Sequence, residues 1–205
     1  YGPSIDAGSA LPPNVWDLLP KRGDVDTALH NLRSISSHIF ERDYLIVLYG
    51  GGMEAAACDL ESKFTEAALG AVQMSDFRNF AHGRHHWLAK RGKQSGVIAL
   101  TGDRDIEIAK KTVGLLPSSV PSAVFHFPGS VVSGGIGAVL TGFFLTAIAG
   151  EIRGIDPGRP GVPPFGRKLY HLGLGARKKA SPGDKLSIRR KSDACNVPSQ
   201  KVIKA

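Results

Sequence analysis

Three constellations in this chain hold residues of the right types and spacing for chemistry. In the first, Asp59, Lys63 and Glu66 lie four and three residues apart within a helical pattern. Their side chains therefore project from one face, and Asp59 and Lys63 can pair as i,i+4 neighbours. By spacing alone the trio also reads as a solvated helix face with one weak salt bridge. The second is the segment FRNFAHGRHHWLAKRGK, residues 77–93, with Arg78, Arg84, Lys90, Arg91 and Lys93, three histidines (His82, His85, His86), the aromatics Phe77, Phe80 and Trp87, and no acidic residue. Such a basic, aromatic helix start suits an anionic ligand, because Arg and a helix N-terminus both stabilise phosphate. No carboxylates or thiols nearby in sequence complete a shell around the histidines, so no metal is expected.

The third constellation is the glycine turn Gly50-Gly51-Gly52 after an apolar run. With Ala55 it matches the spacing G-x-G-x-x-A, and Asp76 follows the next short apolar run, which formally satisfies the dinucleotide fingerprint. Glu54 argues against that reading. It puts a negative charge in the first helical turn, where a pyrophosphate would sit. No cofactor is expected.

The elements that position these residues follow from hydrophobic period. Val25, Ala28, Leu29, Leu32, Ile35 and Ile39 recur at helical steps over residues 24–40, with Asp24 as the expected N-cap. DYLIVLY (43–49) is a buried strand feeding the glycine turn. Residues 53–69 are helical, 71–75 form a short strand, and 77–90 form one further helix. GVIALT (96–101) is a continuous apolar strand, followed by a capped helix in GDRDIEIAKKTVGLL, and SAVFHF (122–127) is a fourth strand. Strands alternating with helices call for a parallel sheet covered on both faces. The expected fold class is α/β, a three-layer α/β/α sandwich with a mostly parallel sheet. Residues 131–150 carry no charge and are long enough to span a bilayer. Within an alternating α/β pattern they read as a buried helix whose glycines allow close packing, so no membrane is expected.

At 205 residues with 42% hydrophobic and 21% charged residues, the composition is ordinary for one globular unit and excludes wholesale disorder, collagen and coiled coil. The domain is expected over 23–172, between an irregular linker at 1–22 and a basic tail or linker at 173–205. Of the 26 Lys and Arg, eleven lie from Arg167 onward against Asp184 and Asp193, so that stretch carries net +9 and the rest −1. A basic tail of this kind is either a solvated linker or an arm attracted to polyanions such as nucleic acid. The two cysteines, Cys58 and Cys195, form no disulfide framework, which fits a cytoplasmic setting. No signal peptide heads the sequence. Beginning at Tyr1, it reads as part of a longer protein.

Taken together, the segments from Asp24 to His171 resemble the sugar isomerase (SIS) domains, specifically the second SIS half as in glucosamine-6-phosphate synthase and related sugar-phosphate isomerases and deglycases. The resemblance rests on LYGGG, on AACDLESKFTEAALG where the family has A-L-E-x-A-x-K-x-x-E, on His82-Gly83 where the family reads E-x-x-H-G-P, and on GIDPGRPGVPPFGRKL as the closing D-x-P-R segment. Asp59 stands for the family's Glu, and Arg84 for its Pro. The resemblance implies that Lys63 engages a substrate carbonyl, Glu66 moves a proton between C1 and C2, and His82 assists ring opening, often across a subunit boundary. It implies a phosphorylated sugar or sugar nucleotide as ligand, with Gly50, Gly51, Gly52, Asp59, Arg78, Arg84, His85 and His86 as candidate contacts. An upstream SIS half carrying the phosphate loop and a homo-oligomer are implied with it. The alternative is a non-catalytic SIS module that recognises a nucleotide, nucleic acid or other anion.

Overall fold

The computed structural model describes residues 24–172. The expectations for the linker at 1–22 and the tail at 173–205 lie outside the described residues. The chain divides into two compact units, Tyr1–Gly161 and Val162–Ala205.

The first unit is built on four strands: β1 (Tyr44–Tyr49), β2 (Ala71–Asp76), β3 (Ser95–Thr101) and β4 (Ser122–His126). All pair in parallel, in the order β2-β1-β3-β4. The apolar runs predict this arrangement, because the central strands β1 and β3 are covered on both faces. Leu45 and Val47 of β1 enter one core cluster with Ile98 and Leu100 of β3, whereas Ile46 and Leu48 enter the other with Val97 and Ala99. The first cluster is completed by helices α1 (Val25–Phe40), α2 (Glu54–Glu66) and α6 (Val131–Arg153). The second is completed by α3 (Phe77–Asn79), α4 (His86–Arg91) and α5 (Ile106–Gly114). Three layers result.

The strand order fixes where a ligand crevice can form. From β1 the chain winds outward to β2, then crosses back to β3 on the other side of β1. The loops leaving β1 and β3 therefore diverge, and the crevice at their carboxyl ends is the topological switch point.

Local details depart from the expected elements. Asp24 sits at the N-cap of α1, but its side chain makes no capping hydrogen bond. Helix α2 stops at Glu66, before the expected 69, because Ala68 turns left-handed at φ 55°. The Leu69 N–H reaches back to the Phe64 carbonyl at 2.8 Å and the Ala68 N–H to Thr65 at 3.2 Å, a Schellman closure. The single helix expected over 77–90 is broken into α3, a π-helical turn at Phe80–Arg84 and α4. Gly83 makes the break with φ 154°, a conformation foreign to a helix.

Helix α6 is capped by Ser130, whose Oγ accepts from the Ser133 N–H at 3.1 Å, and ends at the left-handed Gly154. It is long and apolar enough to cross a membrane, with a third of its most apolar window buried. Its most extensive packing is against α1 and α2, and Leu145, Ile148 and Ala149 also enter the core cluster with the strands. A helix seated on two others keeps part of its circumference uncovered, and Val131, Val132 and Phe143 remain 62%, 40% and 50% exposed. In the second unit, Pro164–Tyr170 forms a short helix, α7, within the segment that closes the SIS resemblance.

Candidate functional site

Lys63 and Glu66 lie in the last turn of α2, and both line a cavity of about 520 Å³. Phe143, Thr146 and Ala147 of α6 form the facing wall, and Asp156, Pro157 and Pro160 close one end. The Lys63 ammonium is held from two sides. It pairs with Asp59 and rests 4.4 Å above the centre of the Phe143 ring. Gly142 lies beside this pair, and the other Asp59 oxygen, Oδ2, is buried without a hydrogen-bond partner. The Glu66 carboxylate is exposed to the cavity and accepts from Ser62 Oγ at 2.8 Å. A fixed cation and an accessible carboxylate one helical turn apart can polarise a carbonyl and receive a proton from the adjacent carbon.

The glycine turn occupies the opposite end of the same helix. Gly50, Gly51, Gly52 and Arg78 line a second cavity of about 290 Å³ at the switch point, with Tyr49, Glu54, Asp76 and Asp105. Helix α2 has 13 residues. At 1.5 Å per residue the turn and Glu66 are about 20 Å apart, farther than one hexose phosphate reaches.

Internal packing accounts for Gly50 and Gly52. A Cβ on Gly50 would lie 2.6 Å from Asp105 Oδ2, and Asp105 accepts the Gly51 N–H at 2.8 Å. Gly52 has φ 85°, and a Cβ there would meet Val131 at 2.5 Å. The N–H that a pyrophosphate would use is thus already bonded to a carboxylate.

Asp76 is also committed. It caps α3 by accepting the Asn79 N–H at 2.7 Å and the Asn79 side-chain amide. These bonds, the backbone one foremost, hold its carboxyl below the ordinary aspartate value of 3.8. The Tyr49 phenol nearby is pushed up, by burial first and then by Glu54 and Asp76. Because the folded state favours ionised Asp76, its contribution is present above the unfolded value and is lost as pH falls through the lower folded one. Asp76→Ala is expected to cost about 1 kcal/mol near neutral pH, the usual worth of an N-cap. The gap in melting temperature between wild type and variant, followed by circular dichroism, narrows as the pH is lowered past 3.8.

His82 is exposed on the π-helical turn and is not among the residues lining the Lys63 cavity. Arg84 donates to the Met74 carbonyl at 3.1 Å, binding the turn to edge strand β2. His85 Nδ1 lies 3.1 Å from the Phe80 carbonyl, and the His85 ring stacks on His86 with centroids 4.5 Å apart. The structure thus brings together Asp59, Lys63 and Glu66 at one end, brings Gly50–Gly52 and Arg78 together at the other, and leaves His82, Arg84, His85 and His86 on an outer surface.

The sequence reading passes over the loop after β3. Asp103 accepts from the Gly129 N–H at 2.9 Å and lies 2.7 Å from His126 Nε2. These two bonds, Gly129 first, hold its carboxyl below the ordinary range. Asp103 and Arg104 line a third cavity of about 470 Å³ with Gly51, Gly52 and Ser130. The available signal is the polar run Gly102-Asp103-Arg104-Asp105 directly after a buried strand.

Fold and cavities define a doubly wound α/β/α protein with crevices at its switch point and a Lys–Glu cleft on one helical layer. No protein-family model matches the chain, and no curated protein does. Among solved structures the chain is similar to a protein from Bacteroides fragilis described as a "putative phosphosugar isomerase involved in capsule formation". The two are 12% identical, with 72% of this chain and 88% of that one covered and a TM-score of 0.50. At that identity the likeness shows a shared fold.

Proposed function

We propose that this chain is an SIS-type domain that binds a phosphorylated sugar or sugar nucleotide and supplies the proton-transfer half of an aldose–ketose isomerase or deglycase site in a larger, cytoplasmic protein. The observation that carries the reading is the pairing of Lys63 and Glu66 on one cavity, with Lys63 fixed by Asp59 and Phe143. The fold shared with a protein described as a phosphosugar isomerase supports it. In the open-chain sugar, Glu66 takes the proton from C2 while Lys63 donates a hydrogen bond to the carbonyl oxygen as it gains negative charge. In the resulting enediolate the O2 hydroxyl proton passes to O1, and the carbon-bound proton returns at C1 as the C2 carbonyl forms. His82 assists ring opening from a second copy or half.

Among the described residues no arginine lines the Lys63 cavity, and the SIS resemblance implies that the phosphate-binding donors come from an upstream SIS half. The test is incubation of the longer protein with hexose phosphates in heavy water. Deuterium appearing at the carbon next to the carbonyl supports the reading, and its absence across the panel rejects it.

A second reading is a recognition module for a nucleotide or other anion, for which Arg78 and Arg104 at the switch point are the cations, sharing their cavities with Glu54, Asp76, Asp105 and Asp103. In that case ligand binding survives without proton exchange.

The uncovered side of α6, on which Val132 and Phe143 lie three turns apart, supports a homo-oligomer. Val132→Glu is expected to convert a dimer into a monomer, read by light scattering after size exclusion. The new acid sits in the first turn of α6, where the helix dipole favours it, so the fold is retained.

A further inference from the structure

The basic segment 77–93 is used in the proposed function only at His82. Among the described residues, no carboxylate pairs with its five cations, since every ion pair lies elsewhere. Three of them converge. Lys90, Arg91 and Lys93, with Gln94, line a groove of about 480 Å³ whose opposite wall is Pro117 and Ser119 of the loop before β4. No carboxylate is among the described residues lining it.

The groove's backbone is held in place. Ser95 Oγ donates to the Arg91 carbonyl at 2.8 Å and accepts from Trp87 Nε1 at 3.1 Å, while Arg42 donates to the Lys93 carbonyl at 3.0 Å. Gly92 forms part of the floor, where a Cβ would press on Val120 at 3.2 Å. Cations in a last helical turn ordinarily offset the helix dipole, but that end carries only about half a negative charge. Three cations exceed it, and Lys93 lies beyond α4 altogether.

One turn before Lys90, on the same side of α4, stands His86, exposed and stacked on the exposed His85. A cationic groove beside an exposed ring is an arrangement by which proteins take single-stranded nucleic acid, with phosphates in the groove and a base on the outer side of His86, whose inner face rests on His85. No large hydrophobic side chain of segment 77–93 is exposed, so this surface has nothing to insert into a bilayer.

We propose that the groove formed by Lys90, Arg91 and Lys93 binds the phosphodiester backbone of a single-stranded nucleic acid, with the His85–His86 pair as the platform for a base. The inference is independent of the sugar-phosphate reading. It is tested on the full chain by fluorescence anisotropy with a labelled oligouridylate. The variant K90A/R91A/K93A is expected to bind at least about tenfold more weakly at low salt, with the slope of log affinity against log salt reduced by about two, at roughly 0.7 for each phosphate no longer neutralised. The tail variant R189A/R190A/K191A removes the same charge and is expected to lose less. His86→Ala is expected to lose about fivefold or more for the oligonucleotide while leaving binding of inorganic polyphosphate unchanged, because only the former stacks. Unchanged melting temperatures establish that the groove variant is folded. If it melts early, K90Q/R91Q/K93Q is used in its place. Wild-type affinity in the folded groove variant, an equal or greater loss in the tail variant, or capture by phosphatidylserine vesicles without oligonucleotide binding overturns the proposal.

Discussion

Glu66→Gln is expected to lower deuterium exchange at the sugar's C2 by a hundredfold or more while leaving ligand affinity close to wild type. The replacement is nearly isosteric, and the amide oxygen still accepts from Ser62 Oγ, which holds the carboxylate in place at 2.8 Å. What it removes is the ability to take a proton, and loss of a positioned general base typically costs on the order of 10²–10⁴ in rate. An interaction needed only in the transition state lowers kcat without weakening ground-state binding. Lys63 is a poorer probe. It is the partner of Asp59, whose second oxygen is already buried without a hydrogen bond. Removing the ammonium would leave that carboxylate unpaired and mix a stability loss into any rate effect. Full exchange in Glu66→Gln, set against an active wild type, would show that another group moves the proton.

The fold is legible where burial is symmetric. β1 and β3 are apolar on both faces because helices cover both, so their continuous hydrophobic runs announce a parallel sheet without further information. The shared face of Asp59, Lys63 and Glu66 is legible too, because it follows from helical period alone. The distance between that face and the glycine turn needs only the length of α2. It separates residues that the family resemblance gathers into one ligand site.

Other parts depend on contacts that no local pattern encodes. The glycine triplet matches a phosphate-binding turn in spacing, yet Gly50 is required by the Asp105 side chain and Gly52 by Val131, residues more than fifty positions away. His82 escapes placement from sequence because Gly83 breaks the helix on which it is expected, rotating the following histidines onto an outer surface. The α6 pattern is apolar all round and reads as a fully buried helix. Its uncovered side becomes visible only in the structure, where α1, α2 and the shared core take up the rest of its circumference.

Gly96 illustrates the same limit and carries the largest expected effect on stability. It opens the apolar run of β3 and has no distinguishing neighbours in sequence, yet the C-terminal turn of α1 rests directly on it. A Cβ at Gly96 would lie 2.7 Å from the Ile39 carbonyl oxygen and 3.0 Å from its Cα. These are backbone atoms that cannot rotate aside, and the same carbonyl accepts from the Arg42 N–H at 3.2 Å as the chain turns toward β1. Relief therefore requires moving α1 off the sheet, along with Ile39 and Phe40, which are 1% and 3% exposed in the core. Gly96→Ala is expected to destabilise the protein by about 3 kcal/mol, the upper part of the range for overpacking a well-filled core. In a domain of this size that corresponds to a fall of roughly 6–12 °C in melting temperature. Gly114, exposed in the last turn of α5 with nothing within 4 Å of an added Cβ, is the matched control. Gly114→Ala is expected to be neutral or to stabilise by about 0.5–1 kcal/mol, since it only restricts the unfolded chain. Equal melting temperatures for the two variants would mean that α1 does not sit on β3 through Gly96.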